Sequence, residues 1–164
     1  MENCTISGNS APSSNPYSTS GGGIAATNGA NLTMLDCVLL RNFASKEGGG
    51  LAVFGARVHM ERCRIVENHA AYGGGLILDS SSFFSCIECA FLSNNAVRGA
   101  GVYIGGSFTI VNFILCDFAH NVASEGSGAA LYISSGTLSL VSSNVVNNTG
   151  SGSYFILKSG AADG

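Results

Sequence analysis

A six-residue unit recurs along this chain: Cys, any residue, an apolar residue, two more residues, then Asn. It reads Cys4-Thr-Ile6-Ser-Gly-Asn9, Cys37-Val-Leu39-Leu-Arg-Asn42 and Cys63-Arg-Ile65-Val-Glu-Asn68. It returns as Cys89-Ala-Phe91-Leu-Ser-Asn94 and Cys116-Asp-Phe118-Ala-His-Asn121. A sixth copy, Ser143-Asn-Val145-Val-Asn-Asn148, carries Ser for Cys. The cysteines step by 33, 26, 26 and 27 residues, and 27 more lead to Ser143. The long first step is accounted for by a polar Ser/Pro/Asn stretch, residues 12–20, which the spacing marks as an inserted loop. Repetition at this period is the signature of a stacked architecture.

Each unit sits in a longer pattern. Two residues after each Asn stands a small residue: Ala11, Ala44, Ala70, Ala96, Ala123 and Gly150. A glycine-rich triplet follows, such as Gly48-Gly49-Gly50 or Gly73-Gly74-Gly75. The triplets lead into apolar–x–apolar strands, Leu51/Val53, Leu76/Leu78, Val102/Ile104 and Leu131/Ile133. A second strand carries Val58/Met60, Phe84/Cys86, Val111/Phe113 and Leu138/Leu140, and the Cys with the next apolar residue makes a third. Three such strands cannot bury their apolar residues alone. Stacked at about 4.8 Å they bury a continuous core and pair in parallel with their copies. The expectation is an all-β parallel β-helix of about six coils and three short sheets, a single domain over residues 1–164. The chain begins inside a coil, so a piece of a longer solenoid, or ends that pair with another molecule end to end, is expected.

Two ladders follow. The amides of Asn9, Asn42, Asn68, Asn94, Asn121 and Asn148 can donate and accept at once, hydrogen-bond along the stack and satisfy turn backbone. Asn also tolerates the left-handed conformation of a tight turn, and the glycines suit a second corner. Cys4, Cys37, Cys63, Cys89 and Cys116 form an inward column, with Cys86 in the neighbouring column of Met34, Met60 and Phe113. Reduced packing is the preferred reading, disulfides between adjacent coils the alternative, and zinc is disfavoured because Cys86-x-x-Cys89 has no partner motif. On that reading, a hydroxyl at position 63 would be buried among apolar neighbours and cost roughly 1–3 kcal/mol.

Phe91-Leu-Ser-Asn94 and Phe118-Ala-His-Asn121 match a Phe-x-x-Asn motif, and Gly21–Ile24, Gly48–Leu51 and Gly73–Leu76 approximate its Gly-Gly-Ala-[Ile/Leu/Val] companion. Here Gly usually replaces the Ala, and four repeats carry Ile, Leu or Val for Phe. The chain thus resembles the repeats of polymorphic outer membrane proteins, within the pectin-lyase-like right-handed parallel β-helix superfamily. The resemblance covers residues 3 to about 150. It implies an extracellular or cell-surface setting and an adhesin-like or structural role, with a polysaccharide or another surface protein as partner. The superfamily also holds polysaccharide lyases, hydrolases and epimerases, so a carbohydrate-active enzyme or its inactive remnant is the alternative.

The residues themselves favour binding over chemistry. Asp36, Asp79, Asp117 and Asp163 form no close pair in sequence, whereas glycosidic hydrolysis usually needs two carboxylates at a set separation. His59, His69 and His120 fall on different columns. Asp36, Arg62 and Glu88, and likewise Arg41 and Glu67, stack outward as solvated ion pairs. No catalytic, metal or cofactor motif stands out. The net charge of −3 with no basic run excludes a phosphate track for nucleic acid. The longest apolar runs, such as 108–116, are too short to span a bilayer as a helix. The candidate binding face is the outer side of the sheet after the glycines. It carries Phe54, Ile77, Asp79, Tyr103 and Tyr132, is poorly charged, and ends in two stacked tyrosines. Asn3, Asn31 and Asn147 begin Asn-x-Thr sequons at outward positions, which a eukaryotic secretory host could glycosylate.

Overall fold

The computed structural model describes residues 1–12, 21–125 and 128–150, and the backbone of 155–157. Of the inserted loop at 12–20 only Pro12 falls among them. The described chain is a parallel β-solenoid of about five turns built from short strands, with no helix among these residues. Following one coil from its glycines, the first sheet holds Leu51–Phe54 and its copies, from Ile24–Thr27 to Phe155–Leu157. The second holds Asn31–Leu35, Arg57–Glu61, Phe83–Ile87, Ile110–Ile114 and Thr137–Val141. The third holds Arg64–Val66 and its copies, from Thr5–Ser7 to Asn144–Val146. Every strand pairs with its equivalent one repeat away, for instance Val58 with Leu32 and Phe84.

A fourth sheet corrects the expectation of three. Phe43–Ala44, His69–Tyr72, Asn95–Arg98 and Val122–Ala123 pair in parallel just after the asparagines. These strands are two to four residues long, and each turns one small residue inward. Ala44, Ala70, Ala96 and Ala123 are buried there. So small an apolar signal does not read as alternation. The alanines are small because the returning glycine triplet lies against this sheet. A Cβ on Gly49 would stand 2.5 Å from the His69 carbonyl oxygen, and one on Gly74 would stand 2.3 Å from that of Asn95. The triplets are a ladder too: Gly49 N–H donates to Gly73 O at 3.1 Å, and Gly50 N–H to Gly74 O at 3.1 Å. In later coils Ala100 and Ala129 take the middle glycine's place and pack with Ala96 and Ala123.

The main core lies inside the first three sheets. Leu51, Leu76, Met60, Phe84, Phe113, Ile65, Phe91 and Phe118 are fully buried in it, with five of the six cysteines. Phe91 stacks on Phe118 at 5.0 Å between centroids, and Phe113 meets both rings edge-on. The corners are made by single residues at positive φ. Asp36, Arg62, Glu88, Leu115 and Ser142 turn the second sheet into the third, with φ between 47° and 54°. Arg41, Glu67, Ser93, His120 and Asn147 turn the third into the fourth. The left-handed residue is thus the one before each ladder asparagine. The asparagine must aim its amide inward, so the reversal falls on its neighbour. That conformation costs roughly 1–2 kcal/mol per non-glycine residue.

Candidate functional site: a groove on the second sheet

The face singled out from the sequence is largely covered by the chain itself. Tyr103 and Tyr132 do stack, with centroids 5.1 Å apart and rings 16° from parallel. Tyr72 comes across from the fourth sheet and meets Tyr103 edge-on at 5.7 Å. Ile77 is 2% exposed and Tyr132 8%, although both point away from the core. The turn at the first glycine lies over this column: a Cβ on Gly48 would come within 2.8 Å of Ala52 Cβ. Phe54, Asp79 and Tyr103 are half-buried. Sequence alternation gave the side of the sheet; it could not show that the preceding loop folds back over it.

An open surface lies one sheet further on. The outer side of the second sheet holds a groove of about 300 Å³ that crosses four coils. Register places Asn31, Arg57, Phe83 and Ile110 in one outward row, and Thr33, His59, Ser85 and Asn112 in the next. The first row forms a wall. Phe83 is 40% exposed and Ile110 39%, and the Arg57 guanidinium carbon sits 4.5 Å from the Phe83 ring centroid. The second row forms a polar floor. Among the described residues, none of its four side chains makes a hydrogen bond to the protein; His59 has Glu61 at 4.0 Å. A smaller cavity of about 160 Å³ adjoins it at Gly29, Asn31, Gly55, Arg57, Ser81 and Phe83. No single residue in this face is unusual in sequence. The only signal was the column itself: a hydroxyl, an imidazole, a hydroxyl and an amide at one repeat position.

The ladder residues are committed to structure. Each asparagine Nδ2 donates to the next Oδ1 at 2.8–3.1 Å. Its other hydrogen goes to a carbonyl of the previous coil, as from Asn68 to Leu39 O at 3.0 Å. Each Oδ1 also receives the backbone N–H of the asparagine below, as from Asn68 N to Asn94 Oδ1 at 3.0 Å. The amides along the middle of the ladder are thereby saturated. All six cysteines are free thiols, Cys4 half-buried and the others buried. Their sulfurs do more than fill space. Cys63 Sγ donates to Glu61 O at 3.3 Å and accepts the Cys37 N–H at 3.4 Å. Ser143 does the same with oxygen: it donates to Val141 O at 2.9 Å and accepts the Cys116 N–H at 3.0 Å. Burial pushes the Cys86 thiol well above the usual thiol range, so it stays protonated.

The charged columns carry no chemistry of their own. Arg62 holds Asp36 with two hydrogen bonds, at 2.8 and 2.9 Å, and also contacts Glu61. Arg41 meets Glu67 at 2.6 Å. These pairs are exposed and screened by solvent, so they add little to stability. Among the described residues the groove is lined by no carboxylate, whereas glycosidic hydrolysis usually uses two. What the arrangement offers is a row of unpaired donors and acceptors beside an apolar wall. Asn31, the acceptor of one sequon, stands at the rim of that groove. Among the described residues no helix is long and apolar enough to cross a membrane, which says nothing of a β-barrel.

The family model described as right handed beta helix region matches residues 1–162. Neither the curated proteins nor the solved structures contain a match.

Proposed function

The chain belongs to the right-handed β-helix family, and from that membership we propose that it is a non-catalytic binding module for an extended carbohydrate chain, held in the groove of the second sheet. The observation that carries this reading is the floor row: Thr33, His59, Ser85 and Asn112 present one free polar side chain per coil. Coils repeat at about 4.8 Å, close to the advance of one pyranose unit in an extended chain. Phe83 and Ile110 supply the apolar wall on which a sugar face packs. The family speaks broadly for a carbohydrate-related or surface role. The likeness of Phe-x-x-Asn repeats to those of polymorphic outer membrane proteins supports an adhesive module at a cell surface or in the secreted space.

The test is retention by soluble polysaccharides in affinity electrophoresis, run beside an assay for new reducing or unsaturated ends. Retention without new ends is the expected result, weakened in a His59→Leu/Asn112→Leu variant and unchanged in Tyr103→Ala. Failure to retain any polysaccharide would sink the reading. The enzymatic alternative rests on His59 as the one base on the groove floor; Glu61 lies 4.0 Å from it, beyond hydrogen-bond reach, and is engaged by Arg62. New ends that vanish in His59→Gln would put that alternative in its place.

A further inference from the structure

We infer that the outer face of the third sheet is the contact surface for a second copy of this chain, laid against it with the two solenoid axes antiparallel. Strand register places two outward columns on this face. One is aliphatic from coil to coil: Leu40, Val66, Leu92, Ala119 and Val146. The other holds Val38, Arg64, Ala90, Asp117 and Asn144. Leu40, Val66 and Leu92 are half-buried and Val146 is 49% exposed, all pointing away from the core. The middle outward column of the second sheet, from Thr33 to Ser139, is polar in every coil. An aliphatic strip this continuous marks a surface that another molecule covers.

The charges identify the partner. Arg64 and Asp117 are the only charged residues in the two columns, and they stand one coil before and one coil after Ala90 and Leu92. Both are exposed, and among the described residues neither makes an ion pair. The corner arginines differ: Arg41 is spent on Glu67, and Arg62 on Asp36 and Glu61. A two-fold axis along the strand Ala90–Leu92 brings the face against itself and reverses the order of the coils. Arg64 of each copy then meets Asp117 of the other, Val66 meets Ala119, Leu40 meets Val146, and Leu92 meets Leu92. That is the self-complementarity of an isologous contact. With the coils in the same order, Arg64 would face Val66 and Asp117 would face Ala119, leaving both charges covered and unpaired. The face is about 24 Å long, five coils at about 4.8 Å, and about 10 Å across, the span of a three-residue strand. That is well under the roughly 800 Å² per partner of a standard interface, so the dimer is weak and concentration-dependent. Neither column lines the groove of the second sheet, so this contact stands apart from the carbohydrate reading.

Sedimentation equilibrium from micromolar to millimolar concentration tests the contact. It is run on the unaltered protein, Arg64→Asp, Asp117→Arg, Leu92→Lys, and an equal mixture of the first two variants, with thermal melts to verify folding. The unaltered protein should pass reversibly from one copy towards two. Arg64→Asp sets an acid against Asp117 at both ends of the contact, and Asp117→Arg sets a base against Arg64. Each should weaken association about tenfold or more, since like charges then face each other. The mixture should associate again, because the new acid at position 64 meets the new base at 117, and Asp117 meets Arg64. Leu92→Lys places two ammonium groups on the two-fold axis and should abolish the dimer. A protein that stays monomeric at millimolar concentration would overturn the inference. So would association that the single variants leave unchanged, or that the mixture fails to restore.

Discussion

Each cysteine of the column does two jobs, and only one of them is packing. A buried sulfur that accepts an amide from the coil below cannot be replaced by a hydrocarbon without orphaning that amide. Cys63→Val should therefore cost about 1–3 kcal/mol through the unsatisfied Cys37 N–H. Cys63→Ser, by contrast, inherits both bonds as Ser143 does, and should cost less than Cys63→Val. This reverses the expectation that a hydroxyl there is simply a buried polar group. Chemical denaturation of the two variants ranks them, and a costlier serine would refute the argument. Native alkylation should label Cys4 first and the five buried thiols only on unfolding, as read by mass spectrometry. On the outside, the hydrogen bonds from Arg62 hold the Asp36 carboxyl below its ordinary value of 3.8. A depressed carboxylate contributes stability above its unfolded pKa and loses it as pH falls through the folded one. Carbon-detected NMR should thus find Asp36 titrating below the usual carboxylate range, and back within it in Arg62→Gln.

At the scale of the element, the strands and the glycines constrain each other. A Cβ on Gly75 would meet the Gly101 carbonyl oxygen at 2.6 Å and Asn94 Nδ2 at 3.1 Å. The third residue of these triplets is therefore held to glycine chiefly by the backbone carbonyl of the next coil, with the ladder amide close beside it. Gly75→Ala should cost roughly 1–3 kcal/mol, as overpacking does. A melting temperature unchanged by that substitution would show that the coil can open to admit a methyl group. Three of the four sheets and both ladders were legible because their side chains are large or repeated: Val58, Met60, Ile65 and the asparagines recur on a period. The fourth sheet was not, since one inward alanine per coil is no pattern. The groove was not legible either. Its floor is made of outward residues whose shared feature, being unpaired, exists only once neighbouring coils are in place. How far the first sheet's outer face is covered was not legible for the complementary reason. Alternation reports which way Ile77 points, and the covering comes from a turn that precedes it in the chain.

For the whole molecule, near-identical repeats do not carry equal energies, because a coil draws its stability from the coils on either side. Asn68 sits between Asn42 and Asn94 and is fully buried, whereas Asn9 is exposed and, among the described residues, donates to Asn42 alone. Asn68→Ala removes four buried hydrogen bonds, two given and two received, and should cost on the order of 3–5 kcal/mol. Asn9→Ala should cost about 1 kcal/mol. The other end shows the same gradient in apolar form. Val145 is 37% exposed, while its register partner Phe118 and the next one below, Phe91, are fully buried. Amide exchange should accordingly be slowest in the strands of residues 58–118 and fastest in Thr5–Ser7 and Asn144–Val146. If two molecules pair through the strands Thr5–Ser7 and Asn144–Val146, raising the concentration should slow exchange in those strands and leave the middle unchanged. Light scattering over the same dilution series should then show mass growing with concentration. Uniform exchange from end to end would contradict nearest-neighbour stacking, and terminal strands that stay fast at every concentration would contradict association through the ends.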